Sequence, residues 1–366
     1  MTIGSIGEAT ESYEAWLRRR ISVVEEGLDQ KHTVMAESPF TFLRATYYRW
    51  VSVWPELSAA LVDAPRVLAV GDLHTENFGT WRDTDGRLAW GVNDFDEAHP
   101  LPYTSDLVRL ATSALLAIKS ARLEIAPEDA CDAILAGYQR GLDKGARPFV
   151  LAERHGWLGD IARRELKDAR KFWKEIEGLP VAPDGMPETA RAAVARTLPD
   201  TGIDYHVRRR VTGAGGLGCP RLVALAHWQG SLIAREAKAV PPSAHVWAGV
   251  AAESSKEDAK RIAFGAGRAH DPRLEFAPGW RVRRLAPDCS KLDLADLPGQ
   301  RDEHRLLRAM GKETANVHCG SAESIPAVQN HLGGLPEDWL LTAARVMLKA
   351  VRREWKEWKG LQKNAE

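Results

Sequence analysis

The chain has 366 residues, 44% of them hydrophobic, and carries 50 basic against 50 acidic side chains. That length allows one large or two ordinary domains with substantial cores. The even charge argues against a nucleic-acid surface, and the four cysteines, Cys131, Cys219, Cys289 and Cys319, are too widely spaced for a zinc site or a disulfide framework.

The opening residues lack the basic region and apolar core of a signal peptide, and no stretch is long and apolar enough to span a membrane, so a cytoplasmic protein without membrane contact is expected. Trp16, Leu17, Ile21, Val24 and Leu28 recur at helical spacing and predict one amphipathic helix over residues 12–30. Ser38-Pro39 is a helix start, and Phe40, Phe42, Leu43, Tyr47, Trp50 and Val51 extend it as a single apolar helix. Arg44 inside that helix has two readings: a clamp on a phosphate or carboxylate, or a brace that holds a loop through a buried carboxylate.

Residues 67–70 form an apolar run of strand type that delivers a polar loop with Asp72, His74, Glu76 and Asn77. Residues 81–90 read as two short strands around Asp83-Thr84-Asp85-Gly86, and the second ends in Asp94, Asp96 and Glu97. A hairpin would bring the two polar ends together. Pro100 and Pro102 force an extended exit before Ser105-Asp106 opens a buried helix through Arg122. Residues 127–144 and 162–177 read as further helices, and residues 178–201, proline-bearing and without periodicity, as a linker and domain boundary.

Beyond it, residues 206–211, 221–228 and 231–240 read as strands, with Thr212-Gly-Ala-Gly-Gly-Leu-Gly218 between the first two. Gly213, Gly215 and Gly218, with Gly216 among them, fit Gly-x-Gly-x-x-Gly. A dinucleotide site needs a helix directly after the glycines. Here Pro220 and a hairpin follow, which leaves a phosphate-cradling loop folded between strands, or a plain glycine-rich turn. Lys238, late in the next strand, is either the lysine that pairs with phosphates or a strand-end surface lysine. Residues 279–285 read as a strand, and residues 301–318 and 336–358 as helices, the last for core support or partner binding.

Phosphoryl transfer needs magnesium on oxygen ligands and a carboxylate that orients the attacking hydroxyl and takes its proton. In Asp72 with Asn77, followed by Asp94-Phe95-Asp96, the chain resembles the protein-kinase-like superfamily, and within it the small-molecule branch of aminoglycoside and choline kinases, whose loops read Gly-Asp-x-His-x-x-Asn and Asp-Phe-Asp. More closely, it resembles a bacterial family catalogued as domain of unknown function 2252. That family carries Gly-Asp-x-His-x-x-Asn-Phe-Gly, Asn-Asp-Phe-Asp-Glu and Asp-Leu-x-Arg-Leu-Ala, here residues 71–79, 93–97 and 106–111. Phe40-x-Phe-Leu-Arg44 and the closing Ala315, His318 and Gly320 match it as well.

The resemblance implies an ATP- and magnesium-dependent phosphotransferase acting on a hydroxyl of a small molecule, with a protein acceptor left open. It implies Asp72 as catalytic base, Asn77 and Asp94 as magnesium ligands, and Gly213, Gly215, Gly216, Gly218 and Lys238 on the ATP phosphates. Asp106 would begin a helix bracing the catalytic loop. His74 is an orienting group or a structural histidine, and Asp96 a second metal ligand or a loop carboxylate. Lys238 would be held by Glu253 or Glu257, between which the residues do not choose.

The expected fold is α+β, kinase-like and two-lobed. It is circularly permuted, because the glycine loop follows the catalytic loop instead of preceding it. Residues 1–200 would form a helical catalytic portion, 201–290 a β-rich nucleotide lobe, and 291–366 helices packing back on the first. The alternatives are a nucleotide-binding pseudokinase, an AMP-transferring enzyme on the same scaffold, and a metal-dependent phosphoesterase opened by Asp72-x-His74. The oligomeric state has no signal in the sequence.

Overall fold

The computed structural model describes residues 4–151, 155–251, 255–292, 294, 297 and 300–365. The fold is α+β, mainly helical with small antiparallel sheets. Among the described residues no helix is long and apolar enough to cross a membrane.

The N-terminal region departs from the expected single helix. Ile6–Arg18 ends early and Glu25–Glu37 starts anew, because Val24 is extended and its N–H leaves the helix ladder for the Gly218 carbonyl at 2.9 Å. Ser38 caps the next helix, Pro39–Ala45, by accepting the Thr41 N–H at 3.1 Å. The long apolar helix expected after Pro39 is also split, at Thr46, before Tyr47–Leu57.

Strand Arg66–Ala69 pairs antiparallel with His99–Pro102, and the expected hairpin joins Phe78–Arg82 to Leu88–Val92. Asp83 shapes its turn by accepting the Asp85 and Arg87 N–H groups. Helix Tyr103–Ala121 runs through the main core, where Leu107, Leu110, Ala111 and Ala114 are fully buried. Burying each leucine stabilises the fold by about 1.5–3 kcal/mol. Helices Pro127–Lys144 and Gln300–His318 lie close together because Gly137 and Gly311 present no side chain: a β-carbon on either would strike the facing backbone. The C-terminal helix, Trp339–Ala365, is tied to the N-terminal region by the buried Arg49–Glu354 pair at 2.8 Å and by the Trp355 and Trp358 indole N–H groups, which donate to the Ala36 and His32 carbonyls.

The second half builds a five-stranded antiparallel sheet in the order His206–Arg209, Arg221–Trp228, Ser231–Ala239, Trp280–Leu285, Glu275–Ala277. The stretch read as a linker contains helix Glu188–Thr197, whose Ala190, Ala193 and Val194 pack on Leu222, Ala224, Ala237 and Val282 of the sheet. Alanine-rich helices show little hydrophobic contrast, so this one has no clear period. The expected helix over 162–177 is two pieces, Gly156–Arg164 and Ala169–Glu177, and the second lays Phe172 and Ile176 on the other sheet face against Val223, Leu225 and Leu285.

Alternation along these strands explains their mixed composition. Leu222, Ala237 and Val282 point to helix Glu188–Thr197, so their neighbours Arg221, Glu236, Lys238, Arg281 and Arg283 share the opposite face. Register sets Arg221 and Arg281 on either side of Lys238, and Arg283 beside Glu236. The polar residues of one sheet face thus gather into a charged row.

Candidate functional site

The loop after strand Arg66–Ala69 is held by one side of a buried helix. Asp106, Arg109 and Ser113 recur at helical spacing on Tyr103–Ala121 and so face the same way. Asp106 accepts the Val70 and Gly71 N–H groups at 2.7 and 2.9 Å, and Ser113 Oγ accepts the Thr75 N–H at 3.0 Å. Arg109, fully buried under the Tyr47 and Trp50 rings, donates to Asp72 Oδ1 through Nε at 2.9 Å and again through Nη2. His318 reaches Asp106 at 3.1 Å and Tyr138 at 2.8 Å, which ties the closing helix into the same brace. Asp106 thus holds the start of the loop through its two backbone donors.

Asn77 joins the two ends of the hairpin. Its side-chain amide donates to the Asp72 and Asp94 carbonyls at 3.0 and 2.7 Å, and its Oδ1 accepts the Asp94 N–H at 2.8 Å. One lone pair of Oδ1 remains. Arg44 pairs with Glu76 of this loop at 2.6 Å and also lines a cleft together with Asp72 and Asn77. His74 is buried with Nδ1 unpartnered; burial, followed by the Arg44 and Arg109 cations, holds its imidazole well below the ordinary value and therefore neutral.

The charged row of the sheet meets this loop directly. Lys238 Nζ donates to Asp94 Oδ2 at 2.8 Å and to Asp96 Oδ2 at 2.6 Å, and Arg281 Nη1 donates to Asp94 Oδ1 at 3.0 Å and Asp96 Oδ1 at 2.6 Å. Burial pushes the Asp94 carboxyl up, but Arg281 and Lys238 outweigh it and hold Asp94 well below the usual carboxylate range. Burial alone would depress Lys238; Asp94 and Asp96 raise it instead. At Asp72 burial prevails over Arg109, and the carboxyl is raised. A basic carboxylate at that position suits proton acceptance.

Of the two expected glutamates, the one among the described residues does not hold Lys238. Glu257 bonds Lys260 at 2.9 Å, and Glu253 lies outside the described residues. The lysine instead meets the acidic loop because the sheet packs across it. Arg281 is not singled out by sequence reasoning, and Arg109 enters it only as the arginine of the Asp-Leu-x-Arg-Leu-Ala segment, without a role. Their signal is faint but present: arginines in period two within an apolar strand, and an arginine one helical turn after Asp106.

The glycine loop closes the site from above. It joins two antiparallel strands, with Gly213 and Gly218 at φ +81° and +89°, where glycine is favoured. A β-carbon on Gly215 would lie 2.9 Å from the Arg44 carbonyl and 3.9 Å from Asp72 Oδ2, and one on Gly216 would lie 3.5 Å from Lys238 Cε. Asp72, Asn77, Asp94, Gly213, Gly215 and Lys238 all line one cleft of about 600 Å³, a volume within the range of small-molecule sites.

No group of three histidine, cysteine or acidic side chains forms a ready metal site among the described residues. Magnesium is usually held by one or two carboxylates together with substrate phosphates. Asp94, 41% exposed against 14% for Asp96, and the spare lone pair of Asn77 fit an ion that arrives with a nucleotide.

Residues 20–170 match the sequence model of domain of unknown function 2252, described as an uncharacterized protein conserved in bacteria. The matched segment holds Arg44, Asp72, Asn77, Asp94, Asp106 and Arg109, while the glycine loop, Lys238 and Arg281 lie beyond it. No curated protein and no solved structure matches the chain.

Proposed function

We propose that the protein is an ATP- and magnesium-dependent phosphotransferase acting in the bacterial cytoplasm on a hydroxyl of a small molecule, built on a kinase-like two-lobe scaffold with permuted motif order. The observation that carries this is the meeting of Lys238 with Asp94, 2.8 Å apart in space and 144 positions apart in sequence. Kinases use a glycine-rich loop between strands, a lysine on the third strand, a magnesium-binding aspartate and a catalytic-loop aspartate. Here Lys238 is on the third strand of the sheet in chain order, directly after the glycine-loop hairpin.

In this reading the glycine loop and Lys238 hold the nucleotide phosphates. The acceptor oxygen attacks the γ-phosphorus, the bond from that phosphorus to the β–γ bridging oxygen breaks, ADP leaves with the electron pair, and the proton passes to Asp72. Arg109 keeps Asp72 oriented by its two donations to Oδ1. Magnesium, held by Asp94 and Asn77, would neutralise charge on the phosphates.

The phosphoesterase reading needs further histidines beside Asp72 and His74, but His206 and His227 line a separate groove, and His245 is bonded to Tyr47 at 2.9 Å. Transfer of AMP instead of the γ-phosphoryl group would set the β- and γ-phosphates on the part of the cleft lined by Arg210, Arg221 and Arg283. Thermal unfolding with ATP, with and without magnesium, tests the main reading. At a free nucleotide concentration of about 100 Kd the protein gains about 2.7 kcal/mol; no magnesium-dependent gain would overturn it, and a gain without ATP consumption would favour the pseudokinase.

A further inference from the structure

Glu236 is buried on the cleft face of the sheet among three arginines. Arg210 Nη1 closes on Oε2, Arg221 Nη1 donates to Oε1 at 2.9 Å, and Arg283 Nε donates to the same Oε1 at 3.0 Å. Burial would raise the Glu236 carboxyl, and the three arginines hold it well below its ordinary value, so it carries one negative charge. Three guanidinium groups on one carboxylate leave positive charge in surplus, and each guanidinium has donors to spare.

The arginines all line the cleft, and its lining adds Lys167, Lys291 and the carboxylate of Glu165. Burial and then Arg210 depress Lys167, and burial and then Arg44 depress Lys291 to about 8. Burying the cluster is not by itself a gain for the fold, since apolar side chains of similar volume often replace a buried ion pair without loss of stability. The phosphoryl-transfer chemistry above leaves these arginines unused.

We infer that Arg210, Arg221 and Arg283, fanned about Glu236, form a phosphoryl-binding subsite distinct from the Asp94 position. Guanidinium forks match phosphate oxygens in pairs. The inference rests on the transferase reading only for the source of the phosphoryl group, which has two forms. In one, the nucleotide lies with its β- and γ-phosphates on the fan and its α-phosphorus at Asp72. The acceptor oxygen then attacks the α-phosphorus, the bond to the α–β bridging oxygen breaks, pyrophosphate leaves with the electron pair, and the proton goes to Asp72. In the other, the acceptor itself is a phosphorylated hydroxyl compound and the γ-phosphoryl group moves, with ADP leaving.

The test is calorimetric titration of the full chain with pyrophosphate in EDTA, which removes any contribution of magnesium at Asp94. Binding is expected, weakened about ten- to a hundred-fold by Arg210→Gln and by Arg283→Gln and retained or tightened in Asp94→Asn. Each arginine variant leaves Glu236 with two partners, so the fold should survive, and Arg283→Lys serves as a milder second variant that keeps the charge and loses the fork. Absence of binding, or equal binding by wild type and both glutamine variants, would overturn the subsite while leaving ATP–magnesium stabilisation untouched. Adenylyl imidodiphosphate with magnesium separates the sources: displacement of pyrophosphate, with transfer of the α-label of ATP, assigns the fan to the nucleotide, whereas simultaneous binding, with transfer of the γ-label, assigns it to a phosphorylated acceptor.

Discussion

Asp106 provides the sharpest test of how the site is held. It is fully buried, and its carboxylate takes the Val70 N–H at 2.7 Å, the Gly71 N–H at 2.9 Å and the His318 ring at 3.1 Å. Leucine there would leave both backbone donors facing carbon. Each buried donor without an acceptor costs about 1–3 kcal/mol, so Asp106→Leu should lose about 2–6 kcal/mol. Asp106→Asn keeps one acceptor oxygen and turns an NH2 group toward a donor, and should lose about half as much. Asp160→Ala supplies the control, because its pair with Arg163 at 2.6 Å is exposed on both sides and such pairs contribute at most about 1 kcal/mol. Urea titrations at pH 7 read by tryptophan fluorescence give the comparison. If Asp106→Leu costs no more than Asp160→Ala, the loop is not held by this carboxylate.

Asp72→Asn should lower turnover by about two to four decades while ATP still binds; an unchanged rate with any phosphate acceptor removes Asp72 as the base. Gly215→Ala should push the glycine loop off the Arg44 carbonyl and weaken ATP binding about ten-fold, and titration calorimetry giving wild-type affinity would count against a phosphate-cradling loop. Burial raises Glu97 to about 7 against the donors Ser243 and Ala244, and raises Glu313 to about 7 against Asn316. An unfolded glutamate titrates near about 4.3, so in that window the folded chain keeps protons the unfolded chain releases, and stability falls as pH rises from about 4.3 through about 7. Glu97→Gln and Glu313→Gln should each flatten that fall, and urea midpoints with the wild-type pH dependence in both variants would refute it.

Much of the site could be read along the chain because its parts are local. A turn at Asp83 to Gly86 between two short apolar runs forces a hairpin, and a hairpin must return Asp94 to Asn77. The glycines are followed by Pro220 and a β-rich hairpin instead of a helix, which makes strands on both sides of the loop legible in the sequence. Helix boundaries failed where a distant partner intervened, as at Val24, whose N–H is claimed by Gly218.

The amino-acid order by itself therefore determined the strand, hairpin and loop chemistry, since backbone geometry and turn preference act over a few residues. Only the tertiary structure decided which charges meet. Lys238 was expected to find a helix glutamate and found Asp94 and Asp96, and Arg281 joined them from a neighbouring strand. That outcome depends on sheet register and on how the sheet packs over the acidic loop, and both come from burial of apolar faces far from the charges themselves.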